Sequence, residues 1–297
     1  MTGRRGGVLA VLVGGAAFGF LPLFARIAYD HGADPFGLLA ARFGLAVVIA
    51  LALRLTALRG RPWPSLRAAV PVVLLGALGY GPQSTFYFNG IQRIDVSLAT
   101  VIFFVFPVFV VAADWLVFGA RPTRAMTLCL AATVGGAALT AGQVGSGSAV
   151  GAVFMVAAAL WYTGYILVSS RILRGIDALT SITLAMSGAA TAHLVILVVT
   201  GADLPADFAG WSAAAGAAAV STVFAMGLFF AGVTVVGPGQ AAVLSTVEPV
   251  VSIAVGVLLL DESLGATRLA GAVLVLTGVT VLARLAAARG GPGETGS

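Results

Sequence analysis

Lysine is absent from this 297-residue chain, cysteine occurs once, and charged residues make up only 9% of it. A soluble domain carries about 25% Asp, Glu, Lys and Arg. So little charge cannot cover a water-exposed surface of this size, which excludes an ordinary cytosolic enzyme, a disordered chain and a nucleic-acid binder. The single cysteine, Cys129, excludes a disulfide framework and any multi-cysteine metal site. Enzyme motifs are also missing: there is no HExxH, no Gly-Lys-Ser/Thr phosphate loop and no GxSxG. Neither a cofactor nor a metal is implied, and ATP cannot drive this chain directly.

What remains is apolar. Hydrophobic residues form 60% of the sequence, arranged in runs near the ~20 residues that a helix needs to cross a bilayer. Charge-free or nearly charge-free stretches predict spans at 6–25, 36–57, 68–92, 96–118, 124–141, 149–170, 178–200, 211–235, 238–260 and 267–287. The first has too long an apolar core for a cleavable signal peptide. Gly- and Ser-rich residues 142–148 divide one long apolar stretch, and Gly237, Pro238 and Gly239 divide another. The expected fold is therefore an all-α polytopic membrane protein of ten transmembrane helices. Its expected units are 1–142, 149–288 and a polar tail at 289–297.

All 16 basic residues are arginine, and they sort by position. With the N-terminus inside, Arg4, Arg5, Arg54, Arg59, Arg61, Arg67, Arg121, Arg124, Arg171, Arg174, Arg284 and Arg289 fall on the cytoplasmic side. The opposite turns carry Asp30, Asp34, Asp95, Asp203, Asp207, Asp261 and Glu262 instead. This bias predicts cytoplasmic N- and C-termini in a cell (inner) membrane. It also explains the net charge of +5 by insertion rather than by an anionic partner.

A shift of 142 residues superposes Pro107 on Pro249, Phe88 on Phe230, Gly90 on Gly232 and Gly136 on Gly278. Five spans per unit is an odd number, so the second unit must run upside down relative to the first, as in inverted-repeat transporters. Thr246, Val247, Glu248 and Pro249, followed by the run from Leu258 through Asp261 and Glu262 to Ser263 and by Gly271 and Gly278, resemble the closing signature of EamA-type drug/metabolite transporters. Phe106, Pro107 and Val108, then Gly119 to Thr123, resemble a first copy, with Ala120 where the family usually carries Glu. The resemblance implies a carrier of small metabolites working between two inverted five-helix repeats. Its partners would be a small-molecule substrate, the lipid bilayer and protons; monomer and homodimer both stay open. Export of amino acids is the leading task, against a multidrug or nucleotide-sugar carrier. Outside that class stand an intramembrane enzyme and a non-transporting sensor.

Ionisable groups inside a bilayer are costly and point to function. Glu248 leads, halfway along the ninth span and just before Pro249, where it suits a proton, a cation or a substrate ammonium. Arg42 suits a substrate carboxylate or a pair with Glu248. His193 is the one histidine within a span and a candidate for proton coupling. Arg26 reads as snorkelling to the interface, and Asp114 as a helix-end partner of Arg121 and Arg124. Tyr80, Gln83, Tyr87 and Asn89 surround a break at Gly81 and Pro82, while Trp161, Tyr162 and Tyr165 lie mid-span. Mid-span amphipathic rings predict a cavity lining rather than an interface belt. Pro82, Pro107 and Pro249 are the expected helix breaks.

Overall fold

The computed structural model describes residues 3–119, 121–141, 149–263 and 265–289. The divider at 142–148, the family-variant position Ala120 and the tail at 290–297 lie outside the described residues. So does the side chain of Asp114, and with it the expected pairing to Arg121 and Arg124.

Among the described residues all regular structure is helical. Helix α1 spans Arg4–Asp30 and α2 Pro35–Ala57. Helix α3 runs through Leu66–Leu74, a wide π-turn at Leu75–Tyr80, and Gly81–Arg93. Helix α4 comes in two pieces, Val96–Phe103 and Phe106–Phe118. Helices α5, α6 and α7 span Arg124–Ala141, Ala149–Ile172 and Ala178–Thr200. Helix α8 is Phe208–Ala218, a second π-turn at Ala219–Phe224, and Ala225–Val236. Helix α9 is Pro238–Leu244 and Val247–Leu259, and α10 is Ala266–Arg289. Eight segments are long and apolar enough to cross a membrane; α5 is a shorter apolar helix. Helix α3 is not among the eight, since its last part carries Gln83, Ser84, Thr85, Asn89, Gln92 and Arg93.

Local chemistry sets the ends. Asp34, Asp177 and Asp207 each accept the amide N–H three residues on, at 2.8, 2.9 and 2.9 Å, starting α2, α7 and α8. Gly201 closes α7 in the left-handed conformation (φ 66°), which costs glycine no Cβ clash.

The helices pair as α1 with α8, α3 with α6, α2 with α7 and α5 with α10. Replacing each helix by its counterpart five places away maps this set onto itself, as a two-repeat fold requires. Equivalent turns lie on opposite faces. The α1–α2 turn meets the α7–α8 turn, where the Asp34 N–H donates to the Asp203 carbonyl at 3.0 Å. Its counterpart, the α6–α7 turn, sits beside the end of α2, where Arg54 Nε donates to Thr180 Oγ1 at 2.8 Å. The repeat is thus inverted.

Irregularities repeat as well. The two π-turns occupy equivalent stretches of α3 and α8, and the interruptions of α4 and α9 fall just before Pro107 and Pro249. A Cβ on Gly232 in α8 would come within 2.8 Å of the Gly7 carbonyl in α1. Its counterpart Gly90 in α3 presses on Met155 in α6. With no hydrophobic drive between helices in lipid, such close approach supplies the packing. The expected break at Gly81 and Pro82 is corrected: the chain stays helical, with the π-turn ending at Tyr80 and the proline in the first turn of the piece that follows.

Candidate functional site

Helix α2 carries Arg42 into the centre of the bundle, where it is fully buried. Its Nε donates to Thr222 Oγ1 at 2.9 Å and its Nη2 to Tyr80 Oη at 3.0 Å. Tyr80 ends the π-turn of α3 and Thr222 lies in the π-turn of α8. These two residues are 142 positions apart, so one guanidinium grips equivalent points of both repeats. Thr222 Oγ1 donates in turn to the Ala217 carbonyl at 2.8 Å. The rings of Phe43 and Phe88 lie 5.1 and 5.2 Å from the guanidinium carbon, within cation–π range. Nη1 is buried with no hydrogen-bond partner among the described residues. The expected pair with Glu248 is not made.

A continuous aromatic wall leads away from this point. Tyr80 contacts Tyr165 (centroids 5.7 Å apart), and Tyr165 stacks on Tyr162 at 5.9 Å. Tyr162 meets Phe106 and Phe103 at 5.0 and 5.5 Å, and Phe103 meets Tyr87 at 5.2 Å. On α3, residues 80, 83 and 87 are three and four apart and so share one face. On α6, Tyr162 and Tyr165 are likewise three apart.

Glu248 approaches this wall from α9. It sits in the first turn of the Val247–Leu259 piece, a helix N-terminus deep in the bundle whose dipole favours a carboxylate. It is half-buried and its carboxylate makes no hydrogen bond or ion pair among the described residues. The neighbouring hydroxyls of Ser245 and Thr246 bond instead to the carbonyls of Ala242 and Val243. The carboxylate lies near enough to Tyr87 and Tyr162 to act on both phenols electrostatically. The backbone carbonyl of Glu248 lies against Gly19 of α1.

Other residues singled out in the sequence fall elsewhere. Trp161 is corrected from cavity lining to a structural role. It lies on an outward stripe of α6 with Val153 and Leu160, 45% exposed, and its Nε1 donates to the Leu78 carbonyl at 3.1 Å. That carbonyl is four residues before Pro82, which has no N–H to offer it. Asn89 is spent locally, donating to the Thr85 carbonyl at 2.9 Å and accepting from Arg93 Nη1 at 2.9 Å. Gln83 is buried on the face of Tyr80 and Tyr87, within 3.4 Å of the Ser84 hydroxyl. His193 is buried on the far side of Phe43 (5.0 Å). Its Nδ1 faces the Ala189 carbonyl at 2.9 Å, which can only accept, so Nδ1 carries the proton and Nε2 meets Thr85 Oγ1 at 3.0 Å. Arg26 Nη2 reaches the α3–α4 turn, where it donates to the Ile94 carbonyl at 2.6 Å.

Sequence reasoning missed Thr222 and Phe103, and gave Phe43 and Phe88 no place at the site. The repeat register held the signal for Thr222, since the 142-residue shift lays it on Tyr80. The phenylalanines, in an apolar sequence, gave none.

The family model described as the EamA-like transporter family matches residues 5–142 and 149–284. No curated protein matches. A solved structure titled "Crystal structure of protein" is similar over 97% of this chain and 100% of its own, with 18% identity and a TM-score of 0.66. At that identity the likeness concerns the fold alone.

Proposed function

Since the chain belongs to the EamA-like transporter family and is a multi-pass membrane transporter of small molecules, we propose that it exports amino acids or related zwitterions by alternating access of its two repeats. The observation that carries this reading is the unpaired carboxylate of Glu248, half-buried within electrostatic reach of Tyr87 and Tyr162, while the buried cation Arg42 keeps Nη1 unpaired. An α-amino acid carries a complement to each, an ammonium for Glu248 and a carboxylate for Arg42, and alternating access would bring the two groups in turn to one substrate. The aromatic wall between them takes the side chain, and its ring faces suit an ammonium. Tyr80, already bonded to Arg42, would fix the orientation, with Gln83 on the same face of α3. A proton on Glu248 would compete with the substrate amine and so couple export to the proton gradient. Without a phosphate loop, that gradient or the substrate's own is the energy source.

The arginine bias supports cytoplasmic termini in the inner membrane. The units of transport would be residues 1–142 and 149–288. The ring-rich wall favours one second reading, export of amphipathic cations held by Glu248 alone. Proteoliposome flux separates the two. Under the first reading amino acids compete with one another, and Arg42→Lys, which loses the two-armed grip on Tyr80 and Thr222, abolishes their transport. Under the second, lipophilic cations are carried and survive the Arg42 change. Glu248→Gln should remove the pH dependence of flux in either case; a flux that kept it would refute the coupling role.

A further inference from the structure

The acidic turns do more than cap helices, because they tie the two repeats together at one face. Glu262, in the α9–α10 turn, accepts the N–H groups of both Val96 and Ser97, the latter at 2.9 Å. These are the first amides of α4, which have no partner inside their own helix and draw a carboxylate to the positive end of its dipole. The turn is built to aim this side chain: Asp261 adopts φ 53°, rare for a residue with a Cβ, and the Glu262 N–H donates to the Gly256 carbonyl at 3.0 Å. Alongside, Arg268 of α10 pairs with Asp95 at 2.5 Å. A second set of links joins the α1–α2 and α7–α8 turns. Asp34 and Asp203 exchange hydrogen bonds at 3.0 and 3.1 Å, and the Ala206 N–H donates to the His31 carbonyl at 2.9 Å.

The repeat register shows what the opposite face lacks. Moving back 142 positions, Glu262 falls on Ala120, and Val96 moves forward onto Pro238. Alanine has no carboxylate and proline has no N–H, so the acceptor and one of the two donors of the clamp are missing there; the Ser97 counterpart, Gly239, keeps its N–H.

We infer that the Glu262 clamp on the start of α4 is the latch of the gate at the acidic-turn face, and that the chain rests closed on that face and takes its substrate from the arginine-rich side. This rests on the alternating-access reading above, but its test needs no substrate. In a Cys129→Ala background, Thr100→Cys places a thiol one turn below the clamp at a buried position of α4. A membrane-impermeant maleimide is added to right-side-out and to inside-out vesicles. Glu262→Gln, which keeps the shape but offers only one acceptor, should raise labelling from the acidic-turn face by roughly tenfold, the worth of a charge-assisted hydrogen bond. Labelling from the other face should not rise. Val96→Pro copies Pro238 and removes one donor while leaving every carboxylate in place. Proline fits the first helical position, and Asp95 at φ −56°, ψ 143° already has the conformation a residue before proline adopts. It should raise the same rate, and it carries the test alone if the Glu262 variant fails to insert. Unchanged labelling in Val96→Pro, or an equal rise from both faces, overturns the latch. Faster labelling in a protein that moves no substrate keeps the latch and sinks the transport reading instead.

Discussion

The Trp161 indole should be worth its hydrogen bond to Leu78 only because Pro82 is there. Proline leaves the Leu78 carbonyl without the donor that a residue four places on normally supplies. This carbonyl lies where Trp161 is still 45% exposed on the outward face of α6, toward lipid, so no water can replace the indole. At 3.1 Å the contact is an ordinary N–H···O bond, worth about 0.5–1.5 kcal/mol net, and side-chain bonds inside membranes have averaged about 0.6. Trp161→Phe loses that bond together with ring contact to Phe86, whose centroid is 5.9 Å away. A double-mutant cycle separates the two losses, because the ring contact is lost equally in both backgrounds. Pro82→Ala restores an N–H, after which the indole is dispensable. Reversible unfolding in mixed micelles should therefore give a coupling of about 0.5–1.5 kcal/mol, with Trp161→Phe costing less in the Pro82→Ala background. An equal cost in both backgrounds would refute the assignment and leave Trp161 as a packing residue.

Further outcomes follow from packing and charge. In α8, Gly232→Ala should destabilise by about 1–3 kcal/mol through overpacking against the Gly7 carbonyl, while Gly227→Ala, with nothing within 4 Å, should stabilise by about 0.4–1 kcal/mol; the same micelle titration reads both. The exposed Asp207 carboxyl is held below its ordinary range first by the Gly210 N–H and then by His31, 2.7 Å away. A depressed folded value contributes stability above the unfolded pKa and loses it as pH falls through the folded one. Its contribution should thus persist down to about pH 4 and vanish only in more acid solution. Asp207→Asn should flatten that part of a thermal-stability profile against pH.

Membrane class and inverted repeat were legible because charge is so sparse that each ionised group marks a boundary. Pro107 and Pro249 were legible for the same local reason: a missing N–H and a ring clash act wherever the residue sits. Other features depended on tertiary partners. Gly81 and Pro82 read as a break because sequence cannot show that Trp161, 79 residues past Pro82, serves the orphaned carbonyl. Trp161 was misread with it, since a mid-span indole looks the same whether it lines a cavity or faces lipid. Arg42 was recognisable by its cost in the bilayer. Its partners Tyr80 and Thr222 were set by two π-turns that leave no mark in an apolar run. Glu248 was found by charge alone, but its place at a helix N-terminus within the bundle required the interruption at Ser245 and Thr246 to be seen.

The repeat is broken where chemistry enters, and one substitution pair tests whether that asymmetry matters. Arg42 treats the halves alike, bonding Tyr80 and its counterpart Thr222. Glu248 does not, because its counterpart is Phe106, 5.0 Å from the Tyr162 ring. Both positions open the second piece of an interrupted helix; Phe106 contacts Tyr162, and Glu248 acts on it electrostatically. Phe106→Glu combined with Glu248→Phe therefore moves the carboxylate to an equivalent helix N-terminus beside the same phenol, without changing composition. If Glu248 acts only as a counter-charge for a substrate amine, equilibrium binding should survive the exchange within about tenfold, or 1.4 kcal/mol. Its use of the proton gradient should not survive, because the carboxylate then belongs to the other repeat and meets the two faces in the reverse order of the cycle. Binding lost altogether, with the protein still folded, would mean that the carboxylate's own neighbours on α1 and α9 are indispensable. Coupling retained unchanged would mean that the transported proton does not reside at Glu248.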